Sequence, residues 1–304
     1  MRFLAFFFAV LFSTSSLLAQ EIEAVILPTE VMEEMQVSPD DSIIKGKVWN
    51  RWTTDNFVVC SLSNSKAKYL HDNLENVKTW LYQRWGMYDI DFEAECKLIC
   101  VDDPELFKKL FRLERSVVEI RRDADGKIKE TVAFLLLNEP PSETLPMPLT
   151  EICLAEFEQE YDIRFGWWVH RGMAVLNSTV PHIRKSIAEQ MKTLANDEPT
   201  FFSKSLMNTT EDDYNSFSVE KKQMFDRSAM MMCLMLKKEF GTTKFQEVMK
   251  GTAVGSNVGA ALKSQLGFED YNKFDRSFKR YMSDLFDDVV ANRTPDSYLK
   301  IEAQ

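Results

Sequence analysis

Histidine is scarce in this chain of 304 residues: there are three, His71, His170 and His182. Little imidazole is therefore on hand for metal ligation or proton transfer. Other catalytic signatures are missing outright. No Gly-x-Ser-x-Gly segment is present, and no glycine-rich phosphate loop follows a strand pattern. The glycines of GTAVGSNVGA, residues 251–260, fall between two helical patterns and read as a connection. Lys and Arg form no block either. The runs at 112–115 and 121–122 are interrupted or flanked by acids, and the formal charge is −10. That balance argues against nucleic acid or an anionic membrane as the main partner.

Long apolar runs are absent after the first twenty residues, so no later segment is expected to span a bilayer. Residues 1–20 combine Arg2, an apolar stretch from Phe3 to Phe12, and a small-residue approach to a cut near Ala19 or Gln20. This is the layout of a secretory signal peptide. No cysteine follows the apolar stretch, which argues against a lipoprotein anchor. A soluble protein exported to the periplasm or the extracellular space is expected.

Five cysteines in an exported protein leave at least one outside any disulfide. Cys96 and Cys100 share one face of the strand pattern CKLICV, about 13 Å apart, too far to bond. Cys60, in the pattern NFVVCS, is available to either if the two strands are neighbours. Cys153 and Cys233 lie in apolar helical patterns, where a buried, inert thiol is the ordinary case.

What is present divides the chain by period. Residues 21–46 are acidic and weakly patterned, a partly ordered leader. From 47 to 148 strands and helices mix. NFVVCS and CKLICV alternate as strands, Ser63 to Trp85 carries helical spacing up to Gly86, and Asp103–Pro104 opens a short helix. SVVEIRR and ETVAFLLLN flank the turn residues 123–126, which predicts a hairpin. From Leu149 the period becomes helical and remains so. Helices are predicted over 149–161, 167–176, 181–194, 201–207, 218–240, 243–250, 256–266 and 270–287, with 291–304 a tail. Met230, Met231, Met232 and Met235 on one of them read as a core face rather than a soft-metal site.

The order and pattern resemble the gluzincin zinc peptidases, within their peptidase MA-like branch. Those enzymes carry His-Glu-x-x-His on one helix and Trp-x-x-Glu-Gly-x-Ala on the next. Here TEICL (150–154) fills the first frame and WVHRGMA (168–174) the second. FDRSAMMMCLMLKKEFGTTKFQEVMKG resembles a later helix of the family, and LKSQLGFEDYNKFDRSFKRYM its closing segment, so the resemblance spans about residues 50–287. It implies an α+β fold of thermolysin type, with a mixed subdomain at 47–148 and an all-helical one at 149–290.

Residue by residue, the chemistry does not carry over. Zinc catalysis needs three protein ligands and a metal-bound water. Thr150 and Leu154 stand at the two histidine positions, Arg171 at the third ligand, and Phe225 where the family often has a tyrosine. Glu151, at the general-base position, remains. The resemblance thus implies a pseudo-metallopeptidase without metal or cofactor, which keeps the scaffold to bind extended peptide or protein. ETVAFLLLN is read either as the edge strand that pairs with such a peptide or as an inner strand. Two alternatives stay open: an active zinc peptidase with a displaced site, for instance from His170, Cys153 and Glu151, and a structural subunit of an envelope or extracellular assembly. One geometric expectation follows from the substitutions. Glu151 without a metal needs a counter-charge if buried, so Arg171 is expected to form an ion pair with it, or to share a water, where the metal would sit.

Overall fold

The computed structural model describes residues 42–44, 47–137, 144–195, 201–295 and Leu299. The expected signal peptide, most of the leader and the end of the tail lie outside the described residues.

The first half builds a sheet. Strands β1 (Ser42–Ile44), β2 (Lys47–Thr53) and β3 (Phe57–Ser61) run antiparallel in turn. Helix α1 (Asn64–Arg84) then crosses over to β4 (Glu95–Val101), which is parallel to β3. Ser63 starts α1 by accepting the Lys66 N–H with its side chain, and Gly86, at φ 67°, ends it in a conformation that favours glycine. Helix α2 (Pro104–Phe111) follows, capped by Asp103, whose carboxylate accepts the N–H groups of Glu105 and Leu106. Strands β5 (Val117–Arg122) and β6 (Ile128–Leu136) form the expected hairpin.

Sheet order is β1-β2-β3-β4-β6-β5, with β6 parallel to β4 and antiparallel to β5. β6 is therefore an inner strand, not an edge. Its unbroken apolar run, VAFLL, is what burial on both faces requires. The edge is β5.

Alternation along β3 and β4 sorts side chains to opposite faces of the sheet. Phe57, Val59, Cys96, Leu98 and Cys100 face α1 and the helical half, whereas Val58, Cys60, Ile99 and Val101 face α2 and Phe107. Cys60 is thus on the other side of the sheet from Cys96 and Cys100, which rules out the disulfide considered above. None of the five cysteines is in a disulfide, and all are buried. Burial pushes the Cys233 thiol well up and that of Cys153 up to about 12, as inert thiols require.

The second half is helical: α3 (Pro146–Glu160), α4 (Trp167–Leu176), α5 (Val180–Ala195), α6 (Ser203–Asn208), α7 (Glu211–Ser216), α8 (Val219–Gly251), α9 (Val258–Leu266) and α10 (Tyr271–Val290). Gly241, at φ 80° and ψ 170°, breaks α8 in two where the sequence reading ends one helix and starts the next. Gly255 and its neighbours connect α8 to α9, as expected. No strand occurs among the described residues after β6. A sheet followed by helices is a mixed, α+β-compatible architecture.

The core does not stop at the boundary between the halves. One buried cluster runs from Leu98 on the sheet through Leu154 and Trp168 to Met230, Met235 and Phe274. Each such side chain contributes about 1.5–3 kcal/mol by leaving water. Met230, Met231, Met232 and Met235 of α8 are core residues, fully buried.

Candidate functional site, the cleft between β5 and helices α3, α4 and α7

Helix α4 is set by one close approach. A Cβ on Gly172 would come within 2.5 Å of the Ala229 carbonyl oxygen and 2.5 Å of Cys233 Sγ. Glycine there lets the backbones of α4 and α8 nearly touch. Asp226, Ala229 and Cys233 recur at helical spacing and turn one stripe of α8 towards α4. Arg171, beside Gly172, is thereby delivered to Asp226.

The expected pair between Arg171 and Glu151 is present, with Nη1 donating to Oε1 at 2.5 Å. A second acid, not foreseen from the sequence, completes it. Arg171 Nε and Nη2 donate to Asp226 Oδ1 and Oδ2, each at 3.0 Å, a forked contact that matches two planar groups. Tyr214 donates its hydroxyl to Asp226 Oδ2 at 3.2 Å and lies with its ring 5.4 Å from the guanidinium carbon. Burial works against the charge of Arg171, and the Glu151 and Asp226 carboxylates outweigh it, so its pKa is raised and it stays ionised. Burial, opposed by Arg171 and reinforced by Asp226, raises the Tyr214 pKa and keeps the phenol protonated.

A second acid–base pair sits further along the same face of α3. His170 Nε2 is 2.9 Å from Glu158 Oε1, which also accepts the Phe165 N–H at 2.6 Å. Trp167 stacks on the imidazole, 5.2 Å between ring centroids at 23°. Burial pulls the His170 pKa down, but Glu158, its hydrogen bond and the acids Glu151 and Glu211 more than reverse this, and the net shift is upward. His71 and His182 lie elsewhere. The former pairs with Asp72 on α1, and the latter is exposed on α5.

The other residues singled out from the sequence are not in the cleft. Thr150 is buried, donates to the Pro146 carbonyl of its own helix at 2.5 Å, and accepts from Asn177 Nδ2 at 2.6 Å. Leu154 is a core residue. The residues of α3 that line the cleft are Glu151, Ala155 and Glu158, one stripe away from Thr150 and Leu154. Phe225 is also buried, packed edge-on against Phe201 at 5.1 Å between centroids and against Tyr214 at 5.4 Å. Cys153 does not join His170 and Glu151. Its carbonyl accepts from the Tyr82 hydroxyl at 3.0 Å and its charged neighbours are Lys78, Asp89 and Glu156, so the alternative site built on Cys153 and His170 is not assembled.

Zinc does not fit these residues. The positions that converge between α3 and α4 hold an acid already engaged, an alanine with no donor, and a permanent cation that would repel a metal. Among the described residues, no group of three His, Cys, Asp or Glu side chains is placed to hold a metal ion.

The cleft is bounded on one bank by β5, through Val118, Ile120 and Arg122, and on the other by the corner at Thr210, Glu211 and Asp212. Its volume is ≈ 490 Å³. Val118, Ile120 and Arg122 alternate along β5, so one face of the edge strand forms the wall. Among the described residues β5 pairs with β6 alone, which leaves its outer backbone groups without a strand partner. No helix of the described residues is long and apolar enough to cross a membrane. Comparison with protein-family models, with curated proteins and with solved structures finds no match to this chain.

Proposed function

We propose that this is an exported, non-catalytic protein that keeps a gluzincin-like, thermolysin-type scaffold and uses its cleft to hold an extended peptide or protein segment. The observation that carries the reading is Arg171, anchored to both Glu151 and Asp226 at the point where a zinc peptidase needs its metal. In this reading none of the ligand positions, Thr150, Leu154 and Arg171, retains a histidine, and Glu151 stands at the general-base position.

Peptide binding is supported by the edge strand. An extended segment laid along β5 would complete the sheet with backbone hydrogen bonds. Its side chains would alternate between the cleft floor and solvent. Glu151, which lines that floor, is held in place by its bond from Arg171, itself fixed by Asp226.

The reading is tested by passing a library of extended ten-residue peptides over the immobilised mature protein and sequencing both the retained and the flow-through fractions. Retention of intact peptides, lost when Val118→Pro blocks the edge, is expected. Cleaved peptides, or no retention at all, would contradict it.

A further inference from the structure

The cleft beside β5 is one end of a longer trough. A second cavity of ≈ 700 Å³ shares Arg122, Glu158, Arg164 and Val254 with it and extends past the β5–β6 turn. The acids along the trough are unevenly matched. Glu151 pairs with Arg171, and Glu158 with His170. Glu211 and Asp212 at one end, and Glu160 and Asp162 at the other, are exposed and have no ion-pair partner among the described residues. Glu93, also exposed, receives only a long hydrogen bond from Gln159, 3.4 Å.

Against these stand Arg122, whose Nη1 donates to the Gly126 carbonyl, and Arg164 and Lys127 on the rim. Arg122 and Arg164 stand where the two cavities meet, Lys127 lines the second cavity alone, and acids outnumber cations at both ends of the trough. Its walls enclose the charge on two sides, which strengthens the field felt by a ligand inside.

We propose that the segment bound along β5 is cationic, an extended peptide with Lys or Arg at its two ends and apolar or neutral residues between. This rests on the peptide-binding reading above. The β5 edge, unpaired among the described residues, supplies backbone partners, Val118, Ile120 and Trp167 give the first cavity an apolar stretch, and the two acidic ends supply charge complementarity. Charge of this kind sets the choice of partner and the rate of encounter more than the ultimate affinity.

The test is a fluorescence-polarisation titration of the intact mature protein with three labelled ten-residue peptides. They share an apolar, strand-forming centre and carry two lysines, two glutamates or two serines at each end. The lysine peptide is expected to bind roughly tenfold or more tighter than the serine peptide, as two to four rim pairs would give. Raising the salt should shrink that ratio, because exposed pairs are screened. Glu211→Gln with Asp212→Asn, and separately Glu93→Gln with Glu160→Gln, should each bring the lysine peptide closer to the serine peptide. Circular dichroism checks that these exposed, isosteric variants remain folded. Equal binding of the lysine and serine peptides would overturn the charge inference and leave strand addition standing. Failure of all three peptides to bind would overturn both.

Discussion

Arg171 Nη1 and Glu151 Oε1, 20 residues apart in the chain and on different helices, lie 2.5 Å apart, while the other edge of the same guanidinium meets Asp226. Three helices, α3, α4 and α8, are tied through one side chain. Two carboxylates around one cation leave a local excess of negative charge, which a partly buried site tolerates only while the cation is present. The side chain of Arg171 is 13% exposed and that of Glu151 is 24% exposed.

Arg171→Ala should therefore destabilise the protein by about 3–5 kcal/mol, because two acids are left facing one another. Asp226→Ala should cost more than Glu151→Ala. Asp226 accepts three charge-assisted bonds, two from Arg171 and one from Tyr214, and Glu151 one, at about 1.5–3 kcal/mol each. The combined change Arg171→Met, Glu151→Leu and Asp226→Leu should cost much less than Arg171→Ala alone. Urea unfolding of the four variants checks the order.

Gly172→Ala probes how Arg171 is placed. The added methyl would meet the Ala229 carbonyl at 2.5 Å, a backbone atom that cannot swing away. Separating α4 from α8 should cost about 3 kcal/mol. A melting temperature equal to that of the wild type would show that the crossing is looser than described.

Some of this was legible in the sequence. The bounds of α4, the caps of α1 and α2, the hairpin at 123–126 and the break at Gly241 are local events, each written in a few adjacent residues. The pair between Glu151 and Arg171 was legible because the family frame places the two side by side. Asp226 was missed, although it follows Phe225 directly. Its only signal is an acid at the start of the apolar run FDRSAMMMCLM, and which face it takes depends on the crossing at Gly172. Which face of α3 lines the cleft was not legible for a related reason. Eleven of its fifteen residues are buried, so no polar stripe marks the cleft side, and Thr150 and Glu151 are equally plausible by spacing. Helix α7, six residues long, is too short for a period to show. Strand β2, KVWNRWT, was not assigned because its apolar residues do not alternate cleanly. Neither β1, placed in the expected leader, nor the edge position of β5 is a local property.

Glu156 supplies a pH signature separate from the cleft. It is 2% exposed, its Oε1 has no hydrogen-bond partner among the described residues, and burial, against Arg122 and with Glu93, raises its pKa to about 7. The folded chain therefore holds a proton that the unfolded chain has released between the usual carboxyl value near 4.5 and about 7. Stability from this group is complete below that window and is lost as the pH rises through it, by on the order of 3 kcal/mol. Glu156→Gln should lack this loss and exceed the wild type above neutral pH. Parallel pH profiles for the two proteins would sink the assignment.

The central claim, that a cation–carboxylate network stands where a peptidase would hold zinc, is tested most directly by metal analysis. The purified mature protein is incubated with excess zinc, desalted, and its metal content measured per chain by mass spectrometry. A zinc content far below one per chain is expected, unchanged by Arg171→Met. About one tightly held zinc per chain, the stoichiometry of a formed catalytic site, would contradict the account.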